Sequence, residues 1–139
     1  MSLYLCVLDF SEGYENEIKG IEIGSYDYFS CFRECICKYV ENNKWGSKCP
    51  IIMNHEEGNG FFSPDDCKKV LNELLVIKRV FENIIPDNST LQKVKKYKKI
   101  QSSMVLRECF TDVDDCDLIS QLEMICELSV QKELNVYFQ

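Results

Sequence analysis

The chain has 139 residues, 45% of them hydrophobic and 28% charged, and carries a net charge of −7 from 16 basic and 23 acidic side chains. That length suits a single domain, expected to span residues 1–139, with enough buried surface for a real core, and no apolar run reaches the roughly 20 residues that cross a bilayer. The acidic balance disfavours nucleic acid and favours a basic partner.

Taken in order, residues 3–9, LYLCVLD, are β-formers throughout and predict a first strand. SEGYENE is polar and turn-like. Residues 18–23, IKGIEI, predict a second strand, antiparallel to the first and ended by Gly24. Ser25 is the expected N-cap of a helix running to about Val40, with Phe29, Phe32, Ile36 and Val40 as its apolar stripe, and Asn42, Asn43 and Gly46 close it. CPIIMN, residues 49–54, predicts a short buried strand, and HEEGNG a glycine turn. The N-terminal segment has no basic stretch and meets Asp9 too early for a secretion signal, so a cytoplasmic location is expected.

Residues 63–85 give the strongest pattern. Ser63 can cap, Pro64 falls where a missing N–H costs nothing, and Asp65 and Asp66 sit at the positive end of the helix dipole. Cys67, Val70, Leu71, Leu74, Ile77, Phe81 and Ile84 then recur at three- and four-residue steps, one stripe of a central core helix. Phe62 precedes the cap and can staple against Cys67 or its neighbour. Pro86 stops the helix. Ser89 is expected to cap a short helix over 90–100, with Leu91, Val94 and Tyr97 inward and lysines outward. Residues 104–110, MVLRECF, predict a strand, Asp114 or Asp115 the cap of a last helix ending near Lys132, and residues 135–139 a final strand. The last helix presents Leu118, Leu122, Ile125 and Ser129 on one face. The order β-β-α-β-α-α-β-α-β predicts a single α+β domain, a mixed or mainly antiparallel sheet of about four to five strands packed against three to four helices.

Four groups of residues could carry chemistry. The nine cysteines include no CxxC, and Cys6, Cys35, Cys67 and Cys126 fall inside apolar patterns, so they read as reduced, buried thiols and no metal is expected. His55, the one histidine, could serve a cysteine nucleophile only through a tertiary contact. Residues 112–123, DVDDCDLISQLE, match positions one, three and twelve of a calcium loop at Asp112, Asp114 and Glu123, but Asp117 stands where the bend demands glycine. The run Lys93, Lys95, Lys96, Lys98 and Lys99 around Tyr97 could contact phosphate, yet without it the chain holds 11 basic against 23 acidic groups, which favours a solvated helix face.

Several segments together resemble the immunity protein 70 family of bacterial polymorphic toxin systems. LYLCVLDF is similar to its first strand, and IEIGSYDYFSCFR to its lead-in to the first helix. GSKCPIIMNHEEGNGFFSPDDCKKVLNEL resembles its central strand, glycine turn and Ser-Pro-capped helix. ECFTDVDDCDLISQLEMICELS and NVYFQ are similar to its late strand, acidic cap, last helix and terminal strand, whereas residues 87–103 depart from it. The resemblance implies a small cytoplasmic protein that binds one cognate toxin domain and blocks it. It brings no catalytic signature, cofactor or metal ligand. On that basis the expected contacts are acidic side chains on loops: Glu56 and Glu57 in the glycine turn, and Asp112, Asp114, Asp115 and Asp117. The alternatives are an enzyme pairing a cysteine with His55, and a phosphate or nucleic-acid binder using Lys93–Lys99.

Overall fold

The computed structural model describes residues 2–56 and 58–139. The chain opens on a hairpin of β1 (Ser2–Asp9) and β2 (Asn16–Ser25), paired antiparallel with irregularities after Leu3 and Val7. Two short strands complete the sheet: β3 (Phe61–Phe62) and β4 (Val136–Phe138). The order is β2-β1-β4-β3, and each neighbouring pair is antiparallel. The last strand of the chain therefore lies inside the sheet, between the first strand and a two-residue edge.

Five α-helices join it among the described residues: α1 (Tyr26–Tyr39), α2 (Pro50–Asn54), α3 (Pro64–Phe81), α4 (Asn88–Val94) and α5 (Leu118–Lys132). The architecture is α+β, as the element pattern predicts. Ser25 caps α1, its hydroxyl accepting from the Tyr28 amide at 3.0 Å. Ser63 and Asp66 form a reciprocal box at the start of α3: the Asp66 amide donates to the Ser63 hydroxyl and the Ser63 amide to the Asp66 carboxylate, both at 3.1 Å. The stripe of α3 (Cys67, Val70, Leu74, Ile77, Phe81) is buried, as is that of α5 (Leu118, Leu122, Ile125, Ser129). The apolar members of both stripes meet Leu3, Leu5, Val7, Ile21, Ile23, Val136 and Phe138 of the sheet in one cluster. Its centre is aromatic: the Phe32 ring lies 5.1 Å from Phe110 and 5.8 Å from Phe81.

Two predicted strands take other forms. Residues 49–54 are not a strand; Pro50–Asn54 is the helix α2. The physical cause is Glu73, at the middle of α3, whose buried carboxylate accepts from the Ile51 and Ile52 amides at 3.0 and 2.9 Å. Those two amides are unpaired at any helix start, and a carboxylate there also meets the positive end of the dipole. Glu41, also buried, takes the Gly46, Lys48 and Cys49 amides and so folds the approach to α2. Residues 104–110 are not a strand either: Leu106–Cys109 is one turn of 3-10 helix. The Leu106 amide donates to the Ile84 carbonyl at 2.7 Å, fixing this turn against the end of α3 instead of a sheet edge.

Smaller corrections follow the caps. Helix α3 ends at Phe81, four residues short of the predicted 85, and α4 ends at Val94 instead of continuing to 100. Asp87, not Ser89, caps α4 by accepting from the Thr90 amide at 2.9 Å. Asp117, not Asp114 or Asp115, caps α5 through the Ser120 amide. Strand β2 runs through Gly24 to Ser25.

Candidate partner interface

The helices join only one face of the sheet in the core cluster. On β1 that face carries Leu3, Leu5 and Val7, while Cys6 and Leu8 point the other way and are buried outside the cluster. Register places Cys6 beside Gly20 on one side and Tyr137 on the other, and Tyr137 beside Phe61. This outer face is aromatic. Phe10 meets Tyr137 edge-on with centroids 5.9 Å apart, and Phe61 meets it from the opposite side at 5.7 Å. Phe10 and Phe61 are 51% and 48% exposed.

Tyr4 completes the face. Its phenol donates to the Glu17 carboxylate at 2.8 Å, which brings the ring across β2. A Cβ on Gly20 would lie 1.8 Å from the Tyr4 hydroxyl, so only glycine leaves room for the crossing. The Glu17 contact, then burial, pushes the Tyr4 hydroxyl up to about 12, so it stays a donor. Beneath it the Cys6 thiol is pushed up to about 11, by burial first and then by Glu17 and Glu15. That thiol is unreactive at neutral pH.

The hairpin beside this face is acidic. Residues 9–17 hold Asp9, Glu12, Glu15 and Glu17 and no lysine or arginine. Glu12 and Tyr14 are exposed and hydrogen-bonded to each other.

The six predicted contact residues fall in different places. The loop carrying Asp112 to Asp117 lies along β2, where the Val113 amide donates to the Glu22 carbonyl at 3.1 Å. Asp114 and Asp115 are exposed there. Asp112 is 2% exposed. Its carboxylate closes the loop, accepting from the Asp114 and Cys116 amides and from the Gln121 side chain at 2.8–3.0 Å. Those bonds occupy the oxygens a calcium loop would need. Asp117 pairs with Arg107 at 2.9 Å while capping α5. Burial pushes its carboxyl up, but Arg107 and the Ser120 amide outweigh this and hold it below its ordinary value. Glu56 is exposed beside the glycine turn that leads into β3. Three strand spacings, roughly 14 Å, separate that edge from β2. Glu57 lies outside the described residues.

His55 is occupied. Its Nε2 lies 2.9 Å from the Asn59 carbonyl, to which it donates, and its ring packs on Phe138 and Phe62 with centroids 3.9 and 4.7 Å away. Burial lowers its pKa. The partners of its ring are a carbonyl and two phenyl rings, none of them a thiol. Among the described residues, seven cysteines are buried, Cys37 is half-buried and Cys116 is exposed. No group of three or more His, Cys, Asp or Glu among the described residues could hold a metal ion.

The lysine run borders a groove of about 280 Å³ between α1 and α4, lined by Lys93, Lys96 and Tyr97 on one side and Asp27, Ser30 and Glu34 on the other. Lys93 lies 3.7 Å from Glu34, and Lys98 donates to the Asp112 carbonyl at 3.1 Å. Acids of α1 thus face these lysines.

The sequence pattern predicts the hairpin but singles out neither it nor the aromatic face as a contact surface. The available signal was in β1: Leu3, Leu5 and Val7 alternate with Tyr4, Cys6 and Leu8, so the strand is apolar on both sides. In an antiparallel sheet one side is usually polar, so an apolar second side asks what covers it.

These features define a small acidic α+β domain whose outer sheet face is aromatic and, among the described residues, lies outside the core cluster that the helices join. The chain belongs to the immunity protein 70 family, whose model matches residues 3–138, nearly its full length. That membership gives it an immunity role directed at a toxin. No curated protein and no solved structure matches it. Among the described residues no helix is long and apolar enough to cross a membrane.

Proposed function

We propose that this chain is a cytoplasmic, non-enzymatic inhibitor that binds one cognate bacterial toxin domain and occludes its active site. The observation that carries the reading is the family match over residues 3–138. The charge supports it: a surface at −7 attracts a basic toxin, such as a nuclease, at long range and speeds the encounter. The loop at Asp114 and Asp115 supplies carboxylates for that attraction, with Glu56 as a more distant contributor. Asp112 and Asp117 act behind it, Asp112 by shaping the loop and Asp117 by fixing it to Arg107.

The test replaces Asp114 by Lys and Asp115 by Asn. Asparagine suits position 115 because its φ is +62°, a left-handed conformation that Asn and Asp tolerate. The expected result is an association rate with the toxin about three- to tenfold lower at low salt, with a flatter salt dependence. An unchanged rate and slope would remove this loop from the encounter surface.

A further inference from the structure

We propose that the outer sheet face, Tyr4, Phe10, Phe61 and Tyr137 together with the acidic turn between β1 and β2, is the surface on which the basic toxin domain docks. The proposal rests on the reading of the chain as a toxin-binding protein and assigns that binding to a place. Four observations carry it. The helices pack on the other side of the sheet, so among the described residues no member of the core cluster covers this face. Its centre is a row of rings, Phe10, Tyr137 and Phe61, at 5.7–5.9 Å spacing, with the two phenylalanines about half exposed. Exposed aromatic groups clustered this way mark interaction surfaces, and rings with few rotatable bonds give contact area at low entropic cost.

The platform is also held in advance. Gly20 lets Tyr4 lie across β2, and Glu17 fixes its hydroxyl at 2.8 Å. A surface already in its bound form avoids part of the ordering cost of association. The rim sets the partner's chemistry: Asp9, Glu12, Glu15 and Glu17 fall within residues 9–17, which hold no lysine or arginine, and Lys19 is the first basic residue after them. An apolar centre with a charged rim is the usual anatomy of a protein interface, and this rim calls for lysines and arginines opposite. A second copy of the chain would bring the same four carboxylates to the contact, which disfavours self-association there.

The probe is the cognate toxin domain, sought first in the gene adjoining this chain's own and purified with an inactivating substitution, and its affinity for the full chain is measured. Phe10→Ser with Phe61→Ser is expected to weaken binding by about tenfold or more. Glu12→Lys with Glu15→Lys is expected to slow association and flatten its salt dependence. Leu75→Ser with Val76→Ser, at exposed positions on α3, is expected to bind as the unmodified chain does. Amide exchange on the unmodified complex needs no variant and is expected to slow across residues 9–17. Full affinity in both sheet-side variants, with the α3 variant weakened or the hairpin amides unprotected, overturns the docking site and leaves the inhibitor reading intact. An unmodified chain that does not bind the toxin domain overturns that reading and this one with it. A dimer in sedimentation that Phe10→Ser with Phe61→Ser dissociates assigns the face to a second copy instead.

Discussion

Buried carboxylates organise this fold at the residue scale. Glu41 and Glu73 each accept from two or more backbone amides and between them shape residues 41–54. Burial raises the Glu73 carboxyl first, and the Ile51 and Ile52 amides pull it partly back. Asp87 behaves oppositely at the surface. Lys38, then the Thr90 amide, hold its carboxyl down from 3.8 to about 2. A carboxyl lowered on folding contributes stability above its unfolded value and loses it as pH falls toward the folded one. For Asp87 that window runs from 3.8 down to about 2. Asp87→Asn is therefore expected to lower the urea midpoint near neutral pH, and the gap from the unmodified chain should close as pH falls through that window. A gap that stays constant would show that Lys38 does not stabilise the ionised carboxylate.

Gly20 illustrates what is decided at the element scale. In the sequence it is a glycine inside a strand, a position that weakens a sheet unless something approaches closely. Tyr4 is that approach, 1.8 Å from where a Cβ would stand. Gly20→Ala must push the ring aside and break its bond to Glu17, at an expected cost of about 1–3 kcal/mol. In a Tyr4→Ala background the same substitution should cost much less, because the obstacle is gone. Equal costs in both backgrounds, measured by urea unfolding, would show that the ring does not constrain this position. Helix α2 makes the complementary point. CPIIMN has the apolar, β-branched look of a short strand, and Pro50 at the first helical position is the one local sign of a helix. The deciding partner, Glu73, lies more than twenty residues away. Helices α1, α3 and α5 needed no such partner to be legible, since their stripes repeat over 14–18 residues and Ser25 and Ser63 cap α1 and α3 locally.

Sheet order governs the whole molecule. Strand β4 pairs with β1 on one side and β3 on the other, so residues 136–138 join the hairpin to the rest of the sheet. Val136 and Phe138 also enter the core. A chain ending at Glu133 is expected to lose cooperative unfolding and the near-ultraviolet signal of its packed aromatics; a sharp transition in that variant would mean the hairpin and helices fold without the central strand. The same arrangement decides the candidate site. The chain's composition made it acidic and pointed to a basic partner, and the motifs along it placed it in its family, because net charge and local pattern are sums over neighbours in sequence. The periodicities of β1, α1, α3 and α5 were likewise fixed locally, by which side chains fall on one face. Only the tertiary structure drew Phe10, Phe61 and Tyr137 into one row, turned Asp112 inward and left Asp114 and Asp115 outside, and separated Glu56 from them. Those placements depend on which strands are neighbours and which face the helices cover, contacts between residues up to 135 positions apart, as between Tyr4 and Gln139, that no local pattern encodes.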